Sequence, residues 1–422
     1  MATMSIGFPD RPPRVAAPAA KLSVELAGVQ AISGRTRLVY LDNLKWVLIA
    51  GIIFYHAAAT YGAVGTGLYT EPTLSPVAQN VLSAPGVVGI LFALETFMLV
   101  AGLFTPRALA RKGTGRFLRD RLIRLGVPYL ATVVVVVPAV VWVILEVIGY
   151  PATLPGILQW QLQHLEPDQM WFVAVLLFFT LCYAGWRWIR PARETGPTPL
   201  QMRHLVGATA LIAALTFLVW LPFPLGSVQP LDLHLWEWPQ LAGVFAVGLL
   251  AGERAWLTER PSASIRRACW LAPLPAVAYV AWLFIAYRSS QPPYVSVAGW
   301  QWQVAVFAVA WGVVAVGWSL AMIDLFRQAA RWSGRLVRAL SRDSYAAFFL
   351  QLPVLTLLEL GLRRLAWPGE VKFAVVASTG IVICFALAWA VRRAVNAVRT
   401  HGGRITGLRR SRRTALPHTA IG

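Results

Sequence analysis

Few side chains in this sequence can do chemistry, and two of them sit where chemistry is costly. His56 lies twelve residues into the apolar run 44–62, about 18 Å from its start at ~1.5 Å per residue. Glu95 lies inside the next run, 86–105, in the stretch LFALETFMLVAG. If the first run crosses from inside to outside and the second returns, the two residues sit at similar depth on neighbouring segments. A neutral imidazole is tolerable there and can accept a proton. A carboxylate in the bilayer core costs several kcal/mol, so it is a functional candidate by default. Glu95 beside His56 would raise the imidazole's basicity and hold its tautomer. That is the orienting half of a general-base arrangement. The same residues could instead form a structural polar contact between helices.

Three further groups have the right types. Segment 107–124 carries seven bases and one acid. Within it Arg121 and Arg124 stand at i, i+3 and share a helix face. Two guanidinium forks at that spacing suit a phosphate or diphosphate, although ordinary charge anchoring at the inner surface explains them too. Gln351 and Glu359 are polar positions inside the apolar run 345–361. His164, Glu166 and Asp168 precede Trp171, but their spacing in a Pro-containing loop lacks a fourth partner, so no metal site is expected.

The elements that must position these groups follow from composition. The chain has 422 residues, 57% hydrophobic and 13% charged, with mean hydropathy +0.60. Soluble domains average about 45–50% apolar and about 25% charged, so an ordinary cytosolic enzyme is excluded. Ten apolar runs approach or reach the length needed to cross ~30 Å of hydrocarbon: 44–62, 86–105, 128–148, 169–186, 204–221, 238–253, 270–287, 299–323, 345–361 and 371–391. The run at 238–253 is the weakest, and Pro128 opens the third. With the N-terminus inside, the inner segments hold 33 of the 38 basic residues and the outer segments 4, Lys45 lying at the start of the first run. That asymmetry is a positive-inside signal. It accounts for the net charge of +20 without nucleic acid. The expected fold class is all-α: a polytopic membrane protein with about ten transmembrane helices and both termini cytoplasmic. Arg363, Arg364 and Lys372 are outer exceptions, either a functional patch or a sign that the ninth span is misplaced.

Residues 1–37 are Ala- and Pro-rich, lack the apolar centre of a secretory signal and are expected to be a disordered cytoplasmic tail. Residues 38–392 form the transmembrane domain, and 393–422 a basic cytoplasmic tail, with the Arg-rich part from Arg392 lying on anionic lipid. Cys182, Cys269 and Cys384 are far apart with no CxxC pair, which excludes a disulfide scaffold or zinc ribbon.

Several stretches resemble one family. Tyr40-Leu41-Asp42-Asn43-Leu44-Lys45 followed by His56 is similar to the start of the acyltransferase 3 family of bacterial membrane O-acyltransferases, which carries a basic residue, ten others, then His in its first span. Arg121-Leu122-Ile123-Arg124 before Pro128 resembles its inner-loop RxxR. FMLVAG, Phe97 to Gly102, resembles its FxxxSG stretch with Ala101 replacing Ser. Met170-Trp171-Phe172 resembles its LWF motif, and Ser344 to Gln351 its SYGIYLxH stretch. The resemblance covers roughly 38 to 392. Lys45 replaces the commoner Arg, which keeps the charge but loses the fork. Gln351 replaces a His, which leaves any acid–base role of that His open here.

The resemblance implies transfer of an acyl group, acetyl above all, from a cytoplasmic acyl-CoA to a hydroxyl of an extracytoplasmic glycan or lipid, in the bacterial inner membrane. His56 would be the general base and Glu95 its orienter; a transient acyl-His stays open. Lys45, Arg121 and Arg124 would hold the donor, and Trp171, Tyr345 and Gln351 would contact substrate. Membrane lipids are partners; neither a metal nor nucleic acid is implied. A glycan or lipid transporter or flippase shares the spans, the intramembrane His and Glu and the basic face. It predicts helices broken at corresponding places in two halves, and no matched pair is visible. A scaffolding subunit is a third class, in which His56, Arg121 and Arg124 are dispensable. The topology is directly testable: a cysteine at Gly115 should react with an impermeant maleimide only from the cytoplasmic side, and one at Gln159 only from outside.

Overall fold

Backbone groups in hydrocarbon must bond within their own segment, which leaves helices or closed barrels. Every regular element among the described residues is helical. The computed structural model describes residues 38–413 apart from 66, 192–195, 228, 258, 290–298, 331 and 333, with backbone alone for 230, 284–289 and 398–413. The expected tail 1–37 and the end of the other, 414–422, lie outside the described residues.

In chain order the helices are α1 (Val39–Thr60), α2 (Pro76–Ile90), α3 (Ala93–Lys112), α4 (Thr114–Arg121), α5 (Val127–Ala131) and α6 (Val137–Ile148). They continue with α7 (Leu154–His164), α8 (Trp171–Ile189), α9 (Met202–Trp220), α10 (Trp238–Glu253) and α11 (Ala263–Leu271). The last are α12 (Pro273–Ser289), α13 (Trp302–Ala329), α14 (Arg335–Leu362) and α15 (Gly369–Arg413). Seven helical stretches among the described residues are long and apolar enough to cross a membrane. Each of the ten apolar runs falls on a helix, with differences at its edges. The second is broken by a turn at Leu91 and Phe92. α15 continues past Arg392 to Arg413, so no element ends at the expected tail boundary.

Prolines shape the third run. Pro128 does not open it: helix begins at Thr114, and Leu122–Gly126 is a π-helical turn just ahead of the proline. A second π turn, Thr132–Val136, precedes Pro138. Proline lacks an N–H and clashes with the carbonyl four residues back; a wider turn relieves that clash. The carbonyl four residues before Pro128 belongs to Arg124, and it accepts the Tyr345 hydroxyl at 2.7 Å.

Three apolar clusters are found among the described residues, the smallest joining Val137, Val140 and Ile144 of α6 to Leu352 of α14. Another joins α1, α14 and α15 through Ile53, Ala57, Phe348, Leu355 and Val376, with Leu125 and Met170. The third joins α3, α8 and α10 through Met98, Phe172, Phe179, Leu241 and Phe245. α3 and α10 meet backbone to backbone. A Cβ at Gly102 would collide with the Phe245 carbonyl, one at Gly248 with that of Leu99, and one at Gly252 with that of Leu103. Small residues permit such close crossings where lipid removes the hydrophobic driving force between helices. Asn43, fully buried near the start of α1, donates to the carbonyls of Ala330 (2.7 Å) and Trp332 (3.1 Å) just after α13. Near the other end of the chain Arg392 grips Asp343 with both branches of its fork.

The glycine crossing yields a sharp contrast. Gly248→Ala or Gly102→Ala should destabilise the protein by about 1–3 kcal/mol through overpacking, read as a lower Tm and loss of the monodisperse peak in detergent. Gly185→Ala, where nothing lies within 4 Å of the added carbon, should match or exceed the native Tm.

Candidate functional site

His56 of α1 lines a small, partly open cavity of about 20 Å³. Thr60, one turn further on α1, continues that wall. Leu352, Leu355, Thr356 and Glu359 of α14 form the opposite wall, Gly67, Leu68 and Tyr69 line it from the segment after α1, and Gln169 closes it ahead of α8. Glu359 is buried, and the Thr60 hydroxyl donates to its Oε1 at 2.9 Å. The imidazole thus shares a largely apolar chamber with one carboxyl, which is held in place by a residue of the same helix as His56.

The segment between α1 and α2 is pinned. Glu71 N–H donates to the Thr60 carbonyl (2.7 Å) and Leu74 N–H to that of Tyr61 (3.1 Å). Tyr69 donates to Glu71 Oε2 at 3.0 Å, and Glu71 Oε1 pairs with Lys372 of α15. Lys372 is 3% exposed and also donates to the Arg363 carbonyl. Arg363 itself donates to the Val147 carbonyl at 2.6 Å. Two of the three outer exceptions are therefore internal fastenings of the cavity wall, and only Arg364 is left exposed.

Glu95 goes elsewhere. It is fully buried, and its Oε1 accepts the Trp311 indole N–H of α13 at 2.9 Å. One residue on, Thr96 donates to Ser319 of α13 at 3.0 Å. No described contact joins Glu95 to His56; the expected pair is replaced by a clasp between α3 and α13. The physical reason is rotational. Depth along a helix is set by residue count, whereas direction turns about 100° per residue. Glu95 is directed to the Trp311 indole of α13. The neighbouring charge is Glu237, just before α10. Burial pushes the Glu237 carboxyl up from the usual carboxylate range, while His234 beside it pulls the other way.

Lys45 lies 3.8 Å from Asp42 and stands over the Phe104 ring, 5.3 Å from its centroid. Arg121 lies over the Phe117 ring at 5.1 Å. Arg124 is exposed and its Nε meets Asp120 Oδ1 at 2.9 Å, with Lys112 on the other oxygen. Arg121 ends α4, and Arg124 lies in the π turn ahead of Pro128. Tyr345, 42% exposed, reaches this loop through the Arg124 carbonyl. Trp171 is buried, its ring stacked on His234 at 4.3 Å. His164 stacks on Trp160 at the end of α7, away from a shared centre with Asp168 at the entry to α8. Gln351 is fully buried on α14, between Tyr345 and the cavity wall.

The structure places His56 on this cavity together with Glu359, which the sequence singled out without a role. Sequence reasoning missed Thr60 and Tyr69, whose types carry no catalytic signal, and Asn43, whose tether is visible only once α13 is placed. Comparison with known families gives the site its context. A family model described as an acyltransferase domain, that of the acyltransferase 3 family, matches residues 38–393. Neither the search of curated proteins nor that of solved structures returned a match. The matched region contains every helix that forms the cavity and the basic inner loop, and it spans most of the chain. The chain belongs to the acyltransferase 3 family and is a multi-pass membrane acyltransferase.

Proposed function

We propose that the protein transfers an acyl group, acetyl in the first instance, from a cytoplasmic acyl-CoA to a hydroxyl of an extracytoplasmic glycan or lipid, in a bacterial inner membrane. The observation that carries this reading is the cavity that His56 and Glu359 line together, within an acyltransferase 3 chain. In this proposal the chain crosses the membrane ten times with both ends inside. The donor's phosphates meet Arg121, Arg124 and Lys45 at the inner face, Arg124 exchanging Asp120 for phosphate. The thioester reaches the cavity along α14, past Tyr345 and Gln351. His56 removes the proton from the acceptor hydroxyl as its oxygen attacks the thioester carbonyl, and the proton leaves with the thiolate. Glu359, rather than Glu95, orients the imidazole and stabilises its protonated form, held by Thr60. Glu95 serves as a structural clasp, and Trp171 backs the outer entry through its stack with His234.

The decisive experiment supplies membranes bearing the protein with radiolabelled acyl-CoAs, from acetyl to longer chains, and with envelope glycans and lipids. Label in an alkali-labile ester that depends on His56 is the expected result. His56→Ala should lower turnover by about 10²–10⁴-fold, the usual worth of a general base, with normal insertion and Tm. Glu359→Gln should lower kcat with little change in KM for acyl-CoA. Glu95→Gln should instead lower Tm and leave the chemistry of the surviving protein near native. Full transfer by His56→Ala protein would overturn the base assignment.

The inner-face assignment has its own test. Arg121→Ala should raise KM for acetyl-CoA about tenfold, the equivalent of one charge-assisted contact. The same variant should leave KM for an acetyl-pantetheine lacking the nucleotide phosphates unchanged. Equal effects on both donors would remove Arg121 from phosphate binding.

A further inference from the structure

Gln351 is buried completely, and neither its Nε2 nor its Oε1 has a hydrogen-bond partner in the structure. Each unmet polar group costs on the order of 1–3 kcal/mol. An apolar side chain of similar volume would avoid that cost, so the fold alone gives no reason for an amide here. A carboxamide with both functions open is complementary to a secondary amide: its N–H donates to a carbonyl, and its carbonyl accepts an N–H.

Its position on α14 selects the ligand. Tyr345, six residues earlier and about 9 Å away along the helix, bonds the Arg124 carbonyl beside the basic loop. Glu359, eight residues later and about 12 Å away, lines the cavity with His56. Leu355, one turn after Gln351, lines the same cavity. Gln351 thus stands between the cationic end of the proposed donor path and its transfer end. The arm of an acyl-CoA carries secondary amides between its phosphates and its sulfur.

We propose that Gln351 pairs with a secondary amide in the arm of the acyl donor and so contributes to donor binding. This rests on the acyl-CoA reading above. It makes Gln351 a donor-binding residue whose partner arrives with the substrate. The unliganded protein bears the cost of the open amide, and donor binding removes it.

The test uses the full chain in nanodiscs, with Gln351→Leu and Gln351→Glu variants. Without donor, Gln351→Leu should melt at or above the native temperature, because an unmet polar group has been replaced by an apolar one. The rise in Tm that acetyl-CoA gives the native protein should shrink in Gln351→Leu. KM for acetyl-CoA should rise about tenfold while kcat stays within about twofold. The preference for acetyl-CoA over S-acetyl-mercaptoethanol, which has no amide, should fall about tenfold. Gln351→Glu, which keeps an acceptor and loses the donor, should lie between. A Gln351→Leu protein that melts several degrees lower and loses both donors equally would make Gln351 a structural residue and overturn the proposal. An unchanged KM and preference would also overturn it, leaving the acyl-CoA reading intact. Native protein that transfers from no acyl-CoA would overturn that reading and this proposal together.

Discussion

A polar group without a partner is far costlier in hydrocarbon than at a wet surface, and the arrangement of this protein follows from how each such group is met. The described regular elements are all helical because helices satisfy their own backbone. Ahead of Pro128 a π turn opens, and the Tyr345 hydroxyl of another helix meets the Arg124 carbonyl. Asn43 does the same for the chain leaving α13. These contacts hold α1, α5, α13 and α14 in one register around the cavity. The structural part of the family's motifs is thus as chemically necessary as the reactive part.

The same cost sorts the carboxylates. Glu95 and Glu359 look alike in sequence, each a lone acid in an apolar run. Glu95 meets an indole N–H and joins α3 to α13 beside the Thr96–Ser319 bond. Glu359 meets only the Thr60 hydroxyl and faces the chamber that His56 also faces. The two carboxyls thus differ in setting: Glu95 is tied to α13 through one oxygen, and Glu359 lines the cavity with His56. The buried Lys372–Glu71 pair supplies the remaining fastening, since removal of either partner would strand a charge.

At the inner face the cations are already engaged. Asp120 takes Arg124 and Lys112, and aromatic rings lie under Lys45 and Arg121. In the proposed donor path a phosphate would have to exchange with Asp120 at Arg124 rather than fill a vacant cradle. The close α3–α10 crossing at Gly102 and Gly248 lies beside the cluster that joins α3, α8 and α10.

Much of this was legible in the sequence. Apolar run length, the 33-to-4 distribution of basic residues and the order of short motifs specify helices, an expected sidedness and the family. The depth of His56 follows from counting, because rise per residue is constant. What the sequence does not determine is azimuth: which neighbour a side chain faces depends on how each helix is rotated when packed, and one residue changes that by about 100°. Hence Glu95, expected at His56, is found at Trp311, while Glu359, far along the chain, takes the place in the chamber of the imidazole. The third run is expected to begin at Pro128, yet helix runs on through a π turn there, with the Tyr345 hydroxyl of α14 on the Arg124 carbonyl. Local pattern decides what each segment is; the contacts between segments decide which polar groups meet, because those pairings are between residues that no sequence spacing links.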